Sequence, residues 1–147
     1  MIPDFDERGF LPEGVHHAAW NEVVARYAIT PHRHGLVTLM ADLVVHLKSA
    51  GCRTLYIDGS FVTDKIAPND YDACWDPNGV KHDLLDPVLL RADDAGKQLM
   101  AEKYGGDIRI AHMSFSGYAG VYLDFFQTGR DGRRKGIVAL NLEEAVL

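Results

Sequence analysis

Residues 56–76 read YIDGSFVTDKIAPNDYDACWD, and this stretch decides the predicted fold. A short strand is predicted over residues 53–58 from its Leu, Tyr and Ile content, and it ends at Gly59 and Ser60. A second strand is predicted over residues 71–75, which are largely apolar and aromatic. The segment therefore predicts two consecutive strands joined by a loop that begins with Gly-Ser.

Two aspartates stand one residue apart at the start of the second predicted strand. Asp70 and Asp72 flank Tyr71, and because side chains alternate along a strand, both carboxylates lie on one face. Such a pair is destabilising unless a cation lies between the charges, and a divalent cation that prefers oxygen ligands, Mg²⁺ or Mn²⁺, meets this need. The pair predicts a metal site, although an isolated Asp-x-Asp sequence is more often solvated or a cap.

The Gly-Ser turn is a candidate phosphate site. Gly59 allows a phosphate group to approach the backbone closely, and Ser60 supplies a hydroxyl and an amide at the start of a predicted helical turn, where anions are favoured. Lys65, in the following loop, is a candidate phosphate partner. A Gly-Ser dipeptide alone is usually only a turn, so its meaning depends on the aspartates that follow it.

A third carboxylate is predicted at Asp124. It stands alone among apolar residues in VYLDFF, and a strand is predicted over residues 121–126. Burying an unpaired carboxylate is costly, so Asp124 either faces solvent or binds a ligand. The sequence analysis assigns it to the metal.

Other elements are predicted from apolar periodicity and from capping and turn residues. They are helices over residues 16–28 and 30–51, one or two helices over residues 83–104, strands over residues 108–113 and 136–142, and an irregular arm over residues 1–14 that lies on the domain or meets a partner. The 83–104 segment is broken near Pro87 and closed by the Gly-Gly pair 105–106. Thr30 is the predicted N-cap of the second helix, whose core-facing apolar stripe is predicted to be Leu36, Leu39, Met40, Leu43, Val44 and Leu47.

Composition limits the classes of function. A length of 147 residues predicts a single domain, and 47% hydrophobic with 24% charged residues is typical of folded globular proteins. The sequence lacks an apolar run of the roughly 18 to 20 residues that a membrane helix needs and has no signal-like start, so a cytoplasmic protein without membrane contact is predicted. The net charge of -6 argues against broad non-specific nucleic-acid binding. Monomer and homodimer both stay open.

A basic segment follows the predicted Asp124 strand. Arg130, Arg133, Arg134 and Lys135 lie in a predicted tight turn. They are interpreted either as a solvated hairpin tip or as contacts to phosphates or to an acceptor molecule.

The order of three motifs resembles the nucleotidyltransferase superfamily of DNA polymerase beta. The Gly-Ser pair 59–60, the Asp-Tyr-Asp triplet 70–72 and the Leu-Asp-Phe triplet 123–125 match that pattern in order and at ordinary spacing. The sequence departs from it at Asp58, where the family has an apolar residue, and it lacks the Arg that many small members place after Gly-Ser. Three further segments are PDFDERGFLPEG (residues 3–14), DGSFVTDK (58–65) and KGIVAL (135–140). Through them the chain is more closely similar, over nearly its whole length, to the small bacterial DUF6932 proteins, a resemblance that names no activity.

The superfamily resemblance implies an α/β (α+β) fold with a nucleotidyltransferase-like mixed sheet and helices packed mainly on one face. It implies transfer of a nucleoside monophosphate from a nucleoside triphosphate to a protein, RNA or small-molecule acceptor, with release of pyrophosphate. Two Mg²⁺ or Mn²⁺ ions would serve this reaction. The implied residues are Asp70, Asp72 and Asp124 as metal ligands and catalytic groups, and Gly59, Ser60 and Lys65 as nucleotide contacts.

Two other classes of function stay open. A catalytically silent or regulatory binding module of this fold could form one half of a toxin-antitoxin or defence pair. A metal-dependent phosphohydrolase would use similar carboxylates, but its product would not retain the nucleotide on an acceptor.

Overall fold

A computed structural model describes residues 1–114 and 120–147. These residues form five strands and four α-helices, together with short 3-10 turns. In chain order the strands and α-helices are β1 (Gly14–Ala18), α1 (Trp20–Tyr27), α2 (Pro31–Ser49), β2 (Thr54–Asp58), β3 (Tyr71–Trp75), α3 (Asp94–Tyr104), β4 (Gly106–Ile110), α4 (Tyr122–Phe126) and β5 (Gly136–Asn141).

The strands form one mixed sheet in the order β1-β5-β2-β3-β4. Both outer pairs, β1 with β5 and β3 with β4, are parallel, whereas β5, β2 and β3 are antiparallel neighbours. Residues of α1, α2 and α3 join the main apolar cluster on one face, and residues of α4 join a smaller cluster with the other face. The predicted α+β class, with helices mainly on one face of a mixed sheet, is confirmed. None of the helices in the described residues is long and apolar enough to cross a membrane.

Helix α2 covers the first face of the sheet. The predicted N-cap is present, because the Thr30 side chain accepts a hydrogen bond from the backbone N–H of Arg33 at 3.1 Å. The predicted apolar stripe is buried except at Leu39, which is partly exposed. Each fully buried aliphatic side chain contributes roughly 1.5–3 kcal/mol. From α2 and the strands this core includes Met40, Leu43, Val44, Leu47, Leu55, Ile57, Ala73, Trp75, Val138 and Leu140.

The start of the chain differs from the prediction in one respect. The helix predicted over residues 16–28 begins only at Trp20, because the preceding residues form edge strand β1. Strand β1 pairs with β5, which lies at the other end of the sequence, so local periodicity carries no signal for it. The predicted arm lies on the domain: Ile2 and Leu11 are buried, and the Met1 ammonium donates to the His17 carbonyl at 2.6 Å.

The strand predicted over residues 121–126 is wrong, since this segment is helix α4. A short run that is apolar except for one residue has too little periodicity to distinguish a strand from a helix. In the fold, Tyr122 and Phe126 lie one helical turn apart with ring centroids at 6.4 Å, and both pack against the second face of the sheet. Packing on the sheet therefore decided the conformation.

The segment predicted as one or two helices over residues 83–104 is helical only in its second half. Two 3-10 turns, His82–Leu84 and Pro87–Leu90, precede α3. Helix α3 ends at Gly105, which has φ of 79° in the left-handed region, as the Gly-Gly pair predicted. The strand expected over residues 108–113 is β4, which begins two residues earlier and ends at Ile110.

A buried arginine fixes the loop that follows the Gly-Ser turn. Arg33 of α2 is 2% exposed, and its guanidinium donates to the carbonyls of Phe61 (2.7 Å), Thr63 (2.9 Å) and Lys65 (2.6 Å). An arginine carries five N–H donors in a planar fork, so one side chain can satisfy carbonyls from several loop residues. The conformation of this loop is therefore set by a helix packed on the core.

We expect Arg33→Met to destabilise the protein by about 2–4 kcal/mol, because it leaves several partly buried carbonyls without donors. Urea unfolding followed by circular dichroism measures the loss. Arg53→Met is the control, since Arg53 forms an exposed ion pair with Glu143 at 3.3 Å, and we expect a change of less than about 0.5 kcal/mol there. Equal stability of the two variants would contradict the role assigned to Arg33.

Candidate functional site

Three aspartates lie side by side across the second face of the sheet. In the antiparallel register of β2 and β3, Asp58 pairs with Asp72, and in the parallel register of β3 and β4, Asp72 pairs with Asp107. Paired residues on neighbouring strands have Cβ atoms about 4.5–5.5 Å apart, so their side chains interact. The fourth acid, Asp70, directly precedes β3 and is exposed. The sheet therefore collects four carboxylates at one end of this face.

Asp72 occupies the centre of this acidic cluster. Burial, followed by the charges of Asp58, Asp70 and Asp107, raises the pKa of Asp72 to about 7 from an ordinary value of 3.8. The pKa of Asp70 is also raised. The first cause is the partial loss of solvent around its carboxylate, and the second is the negative charge of Asp107. The raised pKa values mean that full ionisation of the cluster is unfavourable in the absence of a cation. A bound cation would stabilise the ionised carboxylates.

Two cations offset part of this charge. Lys135 Nζ donates to Asp58 Oδ1 at 2.7 Å, and both side chains are largely buried. Arg109 Nη2 lies 2.9 Å from Asp107 Oδ1, an oxygen that is buried and receives no well-aligned hydrogen bond from the described residues. Asp107 therefore faces Arg109 through one oxygen, while its side chain as a whole is 40% exposed.

Gly59 brings the backbone against the Asp72 carboxylate. Its φ of 84° and ψ of -170° define a conformation that is accessible essentially only to glycine. A Cβ at this position would lie 2.7 Å from Asp72 Oδ2, which is shorter than any real contact. Ser60 then begins the 3-10 turn Ser60–Val62, as the predicted helical turn required. Lys65 is exposed, and its charge opposes the rise in the pKa of Asp70.

Asp124 lies on α4 rather than on a strand of the sheet. Its exposed carboxylate is 3.4 Å from Arg134 Nη1, and it is not among the charges that raise the pKa of Asp72. The structure thus brings Asp70, Asp72 and the Gly-Ser turn together, whereas it places Asp124 in contact with the basic turn. Its assignment as a metal ligand stays a prediction.

Sequence reasoning missed two members of the acidic cluster. Asp107 opens the apolar segment that follows Gly105, a position similar to that of Asp72 in its own strand, and this similarity was an available signal. Asp58 stood out only as a charged residue where an apolar one was expected. Both join Asp72 through strand register, which the local sequence does not encode.

A metal centre is not already assembled in the described residues. No three His, Cys, Asp or Glu side chains among residues 1–114 and 120–147 are arranged to hold an ion. Metal binding therefore stays a prediction that rests on the chemistry of the acidic cluster.

The fold and site define an α+β domain with an acidic cluster at one end of a mixed sheet. Residues 3–141 match the family model of DUF6932, described as a family of unknown function, and the chain belongs to this family. The predicted resemblance to DUF6932 is confirmed. Searches of curated proteins and of solved structures found no match.

We expect Gly59→Ala to destabilise the protein by about 2 kcal/mol more than Gly132→Ala. Gly132 also has a positive φ, of 80°, but a Cβ there would meet no atom within 4 Å, so that variant reports backbone strain without crowding. Thermal unfolding of both variants measures the difference. In an Asp72→Ala background we expect the extra destabilisation of Gly59→Ala over Gly132→Ala to shrink, because the side-chain atoms nearest the new methyl group are gone. An unchanged difference would argue against the contact between Gly59 and Asp72.

The stability of the metal-free protein depends on pH through Asp72. Because its folded-state pKa of about 7 exceeds the ordinary 3.8, Asp72 destabilises the folded state progressively as the pH rises from about 4 to about 7. We expect Asp72→Asn, in EDTA, to be more stable than the wild type by about 1–3 kcal/mol near pH 8, after allowance for partial solvent screening. The gain shrinks as the pH falls toward about 4. Urea titrations across this range measure it, and a gain that is independent of pH would refute the assignment.

Proposed function

We propose that this chain is a metal-dependent nucleotidyltransferase of the cytoplasm. It would move a nucleoside monophosphate from a nucleoside triphosphate to an acceptor hydroxyl or phosphate group on a protein, an RNA or a small molecule. The observation that carries the proposal is the placement of Asp72 between Asp58 and Asp107 in register, directly against the glycine of the Gly-Ser turn. The order of motifs along the chain, which resembles the nucleotidyltransferase superfamily, supports the same conclusion.

The residues fit a hard divalent cation. Carboxylate oxygens are the ligands that Mg²⁺ and Mn²⁺ prefer, and the four acids outnumber the nearby cations Lys65, Lys135 and Arg109. Asp70, Asp72 and Asp107 would hold the metal. Asp58 and Asp107 each pair with a cation, but the Asp58 side chain is 6% exposed whereas that of Asp107 is 40% exposed and open to a ligand. We therefore propose Asp107, rather than Asp124, as the third ligand.

The reaction forms a bond between the acceptor oxygen and the α-phosphorus and breaks the bond from that phosphorus to the pyrophosphate oxygen. Bound Mg²⁺ would supply charge neutralisation for the triphosphate and the leaving group. The chain contributes position: Gly59, which lacks a side chain, leaves the backbone open to close approach by a phosphate, and Ser60 offers its hydroxyl beside it. Lys65 lies in the adjacent loop held by Arg33 and supplies an exposed positive charge.

Transfer of label from each nucleoside triphosphate labelled at the α-phosphate, incubated with Mg²⁺ or Mn²⁺ and a cell lysate, tests the proposal. We expect labelled product with the wild type, and its sensitivity to nuclease or protease identifies the acceptor class. Asp70→Asn, Asp72→Asn and Asp107→Asn each remove a metal ligand, so we expect a loss of about 100-fold or more with folding retained. Asp124→Asn is the matched comparison, and we expect its rate of label transfer to change by less than about threefold.

Three results would change the proposal. Loss of activity in Asp124→Asn together with wild-type activity in Asp107→Asn would return the third ligand to the residue predicted from the sequence. Absence of label with every nucleotide, in a chain that binds Mn²⁺, would favour the silent binding module of a toxin-antitoxin or defence pair. Release of free phosphate without labelled acceptor would indicate a phosphohydrolase.

A further inference from the structure

Lys135 differs from the other cations of the basic turn. Arg133 pairs with Asp131 at 3.2 Å and Arg134 with Glu13 at 3.5 Å, and both arginines are exposed. The Lys135 side chain is only 16% exposed and turns toward the sheet. The structure thus separates one lysine from a cluster that the sequence presents as uniform.

The partner of Lys135 is the residue that directly precedes Gly59. Lys135 Nζ lies 2.7 Å from Asp58 Oδ1, and the Asp58 side chain is 6% exposed. Breaking a buried pair of this kind is strongly destabilising, but a well-packed apolar pair is often at least as stable. Stability of the core alone therefore does not explain this ion pair, which calls for another reason.

The position of the ammonium supplies that reason. The β2 and β5 register pairs Ile57 with Val138, so Lys135 lies just beyond the paired region, beside the Gly-Ser turn. Its positive charge also acts on Asp72, the central carboxylate. A lysine ammonium has three N–H donors, and the hydrogen bond to Asp58 uses one of them. Among residues 1–114 and 120–147 the Lys135 ammonium has no further acceptor, so its other donors can meet an anion that enters next to Gly59.

We infer that Lys135 binds the phosphate groups of the triphosphate and that Asp58 positions it. The inference rests on the proposed function, and it names the cation that replaces the Arg missing after Gly-Ser. Asp58 is a positioning residue rather than a metal ligand, because its carboxylate holds the lysine beside the turn. The negative Asp58 thus has a role in a site that binds a negative substrate.

The inference is tested by titrating the protein with inorganic tripolyphosphate and Mg²⁺ in a calorimeter, a probe that does not depend on the base. We expect Lys135→Met to weaken binding by about 10- to 100-fold, because a charge-assisted contact is lost. Arg134→Met removes the same charge from the neighbouring exposed position, and we expect a change of less than about threefold. The affinity for free Mn²⁺ is not weakened in Lys135→Met, because the substitution removes a positive charge that competes with the metal for Asp72.

A double-mutant cycle tests the positioning role. Asp58→Asn changes tripolyphosphate affinity in the wild-type background and has no effect in the Lys135→Met background. The double variant Asp58→Asn/Lys135→Met carries no unpaired buried charge. If Lys135→Met alone fails to fold, the tripolyphosphate affinity of the double variant is compared with that of the wild type instead. Wild-type affinity in this double variant would overturn the inference, as would equal losses in Lys135→Met and Arg134→Met. An effect of Asp58→Asn that is equal in both backgrounds would overturn the positioning role.

Failure of the proposed function gives a different result. Tripolyphosphate binding that depends on Lys135, in a chain that transfers no label, would overturn nucleotidyl transfer and support a phosphate site of another purpose. Label transfer that is undiminished in Lys135→Met would leave the enzyme in place and overturn the role of the lysine.

Discussion

The register that joins β2, β3 and β4 is the constraint on which the site depends. It places Asp58, Asp72 and Asp107 on neighbouring strands of one face, where like charges raise the free energy of the folded state. Lys135 and Arg109 offset only part of this repulsion, and burial, followed by the repulsion, raises the pKa of Asp72. The remaining structure must hold three strands together against it.

The opposite face of the sheet supplies that stability. Because side chains alternate along a strand, Leu55 and Ile57 of β2 and Ala73 of β3 point away from the acids and pack in the main core. A register slip of one residue would exchange the two faces, so the apolar core also fixes the position of the carboxylates. Helix α2 covers this core and supplies Arg33, which holds the loop after the Gly-Ser turn. One helix therefore supports both the core and the loop beside the site.

Predictions from the sequence succeeded where a local signal and the tertiary environment agree. Thr30 at the start of α2 and Gly105 at the end of α3 have the capping roles that their residue types favour. The sequence predictions failed where packing decided between alternatives. The apolar run around Asp124 is a helix on the second face of the sheet, and the histidines before Trp20 belong to an edge strand. A short apolar run fits either conformation, and an edge strand exists only through its partner.

The sequence by itself determined the chemistry of the loop between β2 and β3. Gly59 is required by its backbone conformation, and the spacing of Asp70 and Asp72 follows from the two-residue repeat of a strand. Only the tertiary structure decided which distant residues complete the cluster, Asp107 through β4 and Lys135 beside β5. The physical reason is that alternation and turn conformation are local properties of the chain, whereas neighbours across a sheet are set by hydrogen-bond register and by packing between segments far apart in sequence.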